Sequence, residues 1–222
     1  MQLVRVRGVS KTFGTGQAAT RVLDGVDVSI EEGEMVAILG RSGTGKSTLI
    51  NLIGGIDRPD SGTIAVAGAE VTELDERGLT EYRRCQVGFI FQLFHLIPEL
   101  TGAENVLLPA RLTGAAPNAP RRARELLARL QLDGAADQLP HTLSGGEQQR
   151  IAIARALVND ARLILADEPT GNLDPDSGAR VLGILRSIAA GDRSVVLVTH
   201  DEQATAVADR VLELAGGRLR ER

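Results

Sequence analysis

The segment at residues 40–48, Gly-Arg-Ser-Gly-Thr-Gly-Lys-Ser-Thr, constrains the fold more than any other stretch of the chain. From Gly40 to Ser47 it fits the spacing G-x-x-x-x-G-K-[ST], a loop whose backbone N–H groups surround the phosphates of a nucleotide. Such a loop works only between a strand and a helix, and both are legible here. EMVAILG (34–40) reads as a strand, and STLINLIGG (47–55) has helical spacing. Gly40, Gly43 and Gly45 let the backbone turn its N–H groups inward where side chains would obstruct. The helix adds the positive end of its dipole. Lys46 is placed to reach the β- and γ-phosphates and the Ser47 hydroxyl to ligate Mg²⁺. Ser42 and Thr48 complete the nucleotide-binding set, Thr48 as a further hydroxyl donor.

Other β-like runs precede the loop, LVRVRGV (3–9) and VLDGVDVSI (22–30), with turn signals at Gly14, Gly16 and Gly33, and SGTIAVAG (61–68) reads as a short strand or hairpin. From about residue 90 the pattern turns helical. RRARELLARL (121–130) sets Leu126, Leu127 and Leu130 on one face, with a Glu125–Arg129 pair at i,i+4, between Pro117 and Pro120 before and Gly134 after. SGGEQQRIAIARALV (144–158) is a second helix. ARLILAD (161–167) and SVVLVTH (194–200) read as buried strands flanking a helix at about 176–190. Strands alternating with helices imply a parallel sheet, with a helical subdomain at about 90–155 interrupting the alternation.

The composition narrows the function. A chain of 222 residues can bury a sizeable core in one domain, and 43% apolar with 24% charged residues is ordinary for a globular protein. No stretch approaches the roughly 18 apolar residues of a membrane span. The N-terminus lacks a secretory apolar core, so an intracellular protein is expected. A single cysteine, Cys85, excludes an internal disulfide. The net charge of −4 and 2% aromatics leave little to hold nucleic acid. Lys11 and Lys46 are the only lysines, so the basic residue inside the loop is nearly alone in kind.

LILADEP (163–169) ends an apolar strand in Asp167-Glu168, where the ligands of α/β proteins gather. Asp167 would hold Mg²⁺ directly or through water, and Glu168 would act as general base on the attacking water. Gln92, where FIFQLF (89–94) enters the helical stretch, could ligate Mg²⁺ or water. His200, at the tip of a neighbouring strand, could donate a hydrogen bond to a γ-phosphate. The plainer explanation is a polar strand end for Gln92 and a structural role for His200.

LSGGEQQR (143–150) is the most informative segment. Ser144 and Glu147 form a capping box, yet a cap alone does not call for Gly145 and Gly146 in the first turn, where each costs up to about 1 kcal/mol against alanine. Bare backbone at a helix N-terminus suits close approach of an anion. Two phosphate-binding helix ends far apart in sequence are reconciled if two copies of the chain face head to tail.

Together these segments resemble an ATP-binding-cassette (ABC) ATPase subunit over essentially the whole chain. Residues 40–48 resemble Walker A, Phe91-Gln92 the Q-loop, 143–150 the family signature, 163–168 Walker B with its catalytic glutamate, GNLD (171–174) the D-loop, and His200 the switch histidine. KTFG (11–14) sits where the family stacks an aromatic, usually tyrosine, on adenine; Phe13 keeps the ring and lacks the hydroxyl. The resemblance implies an α/β fold: a P-loop NTPase core with a parallel sheet, an N-terminal antiparallel β subdomain and an inserted α-helical subdomain. It also implies ATP and Mg²⁺ as cofactors. Two ATPs would be sandwiched in a head-to-tail homodimer between Walker A of one copy and Ser144, Gly145 and Gly146 of the other, with Asp174 organising the interface. Work would pass to a separate transmembrane permease subunit at the cytoplasmic face of the bacterial inner membrane.

FQLFHLIPELTGAENVLLP (91–109), with 14–30 and 208–219, resembles the branch serving lipoprotein release, macrolide export and cell division. There Phe94, Leu96, Ile97 and Leu100 would receive the permease's coupling helix, unless they are ordinary core. The rival expectation is a soluble ABC ATPase of DNA repair or translation. That class usually carries a long coiled-coil insertion or a second cassette, and neither is present in this sequence.

Overall fold

The buried-strand runs pair as parallel neighbours, and their order brings every candidate strand tip to one edge. The computed structural model describes residues 1–112, 118–191 and 193–222. In chain order these form β1 (Gln2–Phe13), β2 (Thr20–Glu31), β3 (Met35–Leu39), α1 (Lys46–Ile53), β4 (Ser61–Val66), β5 (Ala69–Glu70), α2 (Glu76–Cys85) and β6 (Val87–Phe91). They continue with α3 (Gly102–Leu112), α4 (Ala119–Arg129), α5 (Gly145–Leu157), β7 (Leu163–Asp167), α6 (Pro175–Ala189), β8 (Ser194–Thr199), β9 (Arg210–Ala215) and β10 (Arg218–Glu221).

The central sheet has the order β10-β9-β3-β8-β7-β6. From β9 to β6 its strands are parallel, and β10 closes the edge as an antiparallel hairpin partner of β9. A second, antiparallel sheet, β2-β1-β4-β5, carries the N-terminal segment. The period of two decides which side each strand residue serves. Met35, Ala37, Ile164, Ala166, Val195 and Leu197 face one core with α3 to α6. Val36, Ile38, Leu163, Leu165, Val196 and Val198 face the other, with α1 and the antiparallel sheet. Both faces are covered, which is why these strands read as unbroken apolar runs.

Helices α3, α4 and α5 all lie in the connection from β6 to its parallel neighbour β7. The alternation of strand and helix is thus enlarged here, not broken. Residues 90–91 still belong to β6. Two local expectations change. Pro120 lies within the first turn of α4, where its missing N–H costs nothing, so the helix begins earlier than expected. Pro117 lies outside the described residues. Glu125 pairs with Arg121, at 2.9 Å, in place of Arg129.

Candidate functional site

The tips of β3, β8, β7 and β6 are consecutive in the sheet and point the same way, so residues distant in sequence converge. A cavity of about 710 Å³ forms there, lined by Phe13, Ser42, Gly43, Gly45, Lys46, Ser47, Thr48, Gln92, Asp167, Glu168 and His200. Val22 and Arg41 line it too. Arg41 occupies a free position of the motif, and nothing in the sequence marks Val22.

The loop after β3 has the shape its glycines require. Gly43 and Gly45 have φ of +79° and +101°, backbone that L side chains rarely adopt. Gly40 has a different reason: a Cβ there would come within 2.7 Å of the Leu214 carbonyl of β9. Helix α1 starts with no side-chain cap and no acidic residue in its first turn. Its free N–H groups therefore face the cavity as an anion site. Lys46, buried, donates to the Gly40 carbonyl (2.7 Å) and the Arg41 carbonyl (3.2 Å) and stands 3.4 Å from Glu168 Oε1.

Asp167 and Glu168 sit side by side in opposite electrostatic settings. Burial raises the Asp167 carboxyl above the ordinary carboxylate range, against a hydrogen bond from Ser47, and the neighbouring Glu168 charge adds to the rise. Its Oδ1 is buried without a hydrogen-bond partner. For Glu168, burial acts upward, but hydrogen bonds from His200 and Thr199 outweigh it and hold the carboxyl below its usual value. Thr199 Oγ1 donates to Glu168 Oε2 at 2.9 Å, and His200 Nδ1 lies 3.0 Å from the same oxygen. Glu168 has φ +47°, in the left-handed region. Thr199, buried at the end of β8, was not anticipated; a polar residue closing an apolar strand was the available signal.

Among the described residues no group of three His, Cys, Asp or Glu is arranged to hold a metal. An orphaned buried carboxylate oxygen beside the Ser47 hydroxyl is instead the partial, all-oxygen set that Mg²⁺ completes with phosphate oxygens and water. The donors present fit that ion. Phe13 is 45% exposed at the cavity mouth, and Lys11 Nζ lies 5.3 Å from its ring centroid. Gln92 packs against Gly171, and its carbonyl accepts from Asn172 Nδ2 at 3.0 Å.

Ser144, Gly145, Gly146 and Asp174 do not line this cavity. Ser144 caps α5 in a full capping box with Glu147, and Asp174 caps α6 through Ser177 N. A Cβ on Gly146 would stand 3.0 Å from Ser177 Oγ, tighter than an ordinary contact, so packing within the chain gives that glycine a reason of its own. Gly145 has only ordinary contacts around it, the nearest at 3.4 Å. Among the described residues its bareness has no such cause.

Leu96 packs against the helical core, while Ile97 is 37% exposed. The groove on this face is lined by other residues. Phe89 and Phe91, stacked with centroids 5.5 Å apart, join His95, Pro109 and Leu112 around about 400 Å³, with Arg83, Arg84 and Arg155 at its edges. Arg155 holds the carbonyls of Phe94 and His95, both at positive φ.

A family model described as ABC transporter matches residues 23–171. The macrolide export ATP-binding/permease protein MacB 1/2 of Paracoccus denitrificans is 51% identical over 218 residues, 98% of this chain and 33% of the relative. MacB of Burkholderia pseudomallei is 49% identical over the same shares. The chain thus spans about a third of the length of these curated relatives. The ATP-binding cassette MJ0796, solved as a dimer in a post-hydrolysis state with ADP and Pi, superposes with a TM-score of 0.91 at 40% identity, covering 99% of this chain and 98% of that one. Cavity, motifs and comparisons agree: the chain belongs to the ABC transporter family, as an ATP-binding cassette.

Proposed function

We propose that residues 1–222 act as one nucleotide-binding domain, with a helical subdomain at about 90–155, that hydrolyses ATP to drive a transmembrane permease partner. One observation carries the reading. Lys46, Asp167, Glu168 and His200 share a cavity, whereas Ser144 and Gly145 present an uncrowded helix end elsewhere on the surface. A second copy, head to tail, completes the site with its own Ser144, Gly145 and Gly146, and Asp174 lies at that interface. The dimers formed by MJ0796 support the arrangement.

Within the site, Phe13 stacks on adenine while Lys46 and the N–H groups of residues 42–48 hold the phosphates. Ser47, Asp167 and Gln92 would hold Mg²⁺, which would supply neutralisation of the phosphate charge. Glu168 accepts a proton from the water that attacks the γ-phosphorus. Lys46 must first leave Glu168 for the phosphate, which frees the carboxylate for that task. With Nδ1 donating to Glu168, Nε2 of neutral His200 is an acceptor; donating to phosphate requires a second proton or a turn of this exposed ring.

The groove of Phe89, Phe91, Pro109 and Leu112 receives a helix of the permease, in place of a site at Phe94, Leu96, Ile97 and Leu100. Location at the cytoplasmic face of the bacterial inner membrane follows from that partner, and the macrolide exporters among the relatives support the branch. The test is ATP turnover by the chain, joined to its recovery with a transmembrane protein from detergent-solubilised membranes. ATPase activity that responds strongly to nucleic acid, with no membrane partner, would overturn the reading in favour of DNA repair or translation.

A further inference from the structure

Gln149 is completely buried on the second turn of α5, yet the reading above gives it no task. Its Nε2 donates to the carbonyl of Pro169 at 2.8 Å, and its Oε1 is buried with no partner. An apolar side chain of similar size would avoid that unpartnered oxygen, so packing alone does not select glutamine. The bonded carbonyl belongs to the residue after Glu168. The Glu168 backbone, in its left-handed conformation, is otherwise held by two bonds: its N–H donates to Val198 O (2.9 Å), and its carbonyl accepts from Gly171 N (3.0 Å). Proline has no N–H, so the Pro169 carbonyl is that residue's one backbone hydrogen-bonding group. Gln149 thus anchors the Pro169–Thr170 peptide, the next in the chain after the one that carries the Glu168 carbonyl.

The same helix begins at Ser144, five residues earlier, or roughly 7.5 Å along the axis at 1.5 Å per residue. Its first turn presents the exposed Ser144 and its second turn holds Pro169. We infer that Gln149 is a positioning residue, through which engagement of the α5 N-terminus by a second copy sets the orientation of that chain's own Glu168. This rests on the head-to-tail reading. Gln149 touches no nucleotide; it acts through the Pro169 carbonyl.

The experiment compares full-length wild type, Gln149→Met, which keeps the volume without the donor, and Gln149→His, which restores a nitrogen donor. Steady-state ATPase kinetics, binding of a fluorescent ATP analogue and thermal midpoints are measured on each. Gln149→Met should bind nucleotide within twofold of wild type, keep KM and its midpoint, and lose kcat at least tenfold. It should also lose cooperativity in ATP, and Gln149→His should recover part of kcat. A folded Gln149→Met with kcat within twofold of wild type overturns the inference. So does loss of nucleotide binding or midpoint in step with kcat, or failure of both variants to fold, because each assigns the residue to the core. A wild type that hydrolyses no ATP would instead sink the functional reading beneath it.

Discussion

Lys46 Nζ stands 3.4 Å from Glu168 Oε1, the two side chains only 6% and 14% exposed, so the ammonium that should hold phosphate is already engaged with the carboxylate that should activate water. An arriving phosphate competes with that carboxylate for Lys46. Lys46→Met should therefore weaken ATP binding by about 30-fold or more, the loss expected when one partner of a largely desolvated charged contact, about 2–5 kcal/mol, is removed. Calorimetric titration checks this; affinity within threefold of wild type would exclude Lys46 as the phosphate ligand.

Glu168→Gln should lower turnover by roughly 10²–10⁴, the usual worth of a general base, while leaving ATP bound. It should also accumulate an ATP-dependent dimer, visible by light scattering. The pH profile carries a sign. Hydrogen bonds from His200 and Thr199, outweighing burial, keep the Glu168 carboxyl below 4.5 in the folded protein, so the base stays ionised above that pH. The acid limb of the wild-type rate should then fall below pH 4.5, after correction for unfolding. A limb centred near pH 6 or above would assign the titration to another group.

Ser144 caps its helix and also donates its hydroxyl to Glu147 Oε2 at 2.6 Å. Aspartate keeps the N-cap acceptor but loses that donation and faces the Glu147 carboxylate, so Ser144→Asp should lower the melting midpoint modestly while leaving the chain folded. It also places a negative charge where the proposed head-to-tail arrangement would bring the γ-phosphate bound by the second copy. Hydrolysis should fall at least a hundredfold while the isolated chain still binds ATP within a few-fold. Ser144→Arg should cripple hydrolysis likewise. If either substitution abolished binding to the monomer, the site would lie within one chain and the head-to-tail arrangement would be wrong.

Asp167 is a place where site and stability conflict. Its folded carboxyl is raised above the ordinary 3.8, so its contribution to stability is present below that value and lost as pH rises through the folded one. At neutral pH the buried, half-partnered charge is a burden. Asp167→Asn should stabilise the nucleotide-free protein at pH 7 by about 1 kcal/mol, roughly 2–4 °C in midpoint at this chain length. It should simultaneously weaken Mg²⁺-dependent ATP binding tenfold or more. A variant less stable than wild type at pH 7 would show that the carboxylate is needed by the fold.

The parallel core was legible because strands covered on both faces, such as 163–167 and 194–199, are continuous apolar runs. The site was legible because the phosphate loop demands glycines and a lysine at fixed spacing. Helix α2 escaped notice because its ERGLTEYRRC buries only Leu79 and Tyr82, although Asp75 caps it through Gly78 N. The β9–β10 hairpin did carry its signal, the Gly216-Gly217 turn with both φ positive, which suits a tight two-residue connection. Gly146 shows the opposite difficulty. In sequence it matched Gly145 as an anion contact, and only the packing of α5 on Ser177 separates their causes. Thr199 reaches Glu168 and Gln149 reaches Pro169 through tertiary hydrogen bonds between segments about 30 and 20 residues apart, pairings that no local pattern encodes.

Asp160 offers a test of the fold away from the site. It accepts from Arg122 on α4 at 2.6 Å and from Arg193 ahead of β8, tying the helical connection to the sheet. The Arg122 hydrogen bond, with help from Arg193 and against burial, holds its carboxyl below 3.8. A lowered carboxyl contributes stability above its ordinary value and loses it as pH falls through the folded one. Asp160→Asn should therefore cost stability at pH 7 and cost little once the medium is acid enough to protonate the wild-type carboxylate. Because the pair lies at the surface, the loss at pH 7 should be no more than about 1 kcal/mol, or ~0.4 M in urea midpoint. Raising salt to 1 M should shrink it, since exposed charges are screened within about 3 Å there. Urea titrations at pH 7 and pH 3 check the sign, and a difference that grows in acid would mean that Asp160 stabilises the protein in its protonated form.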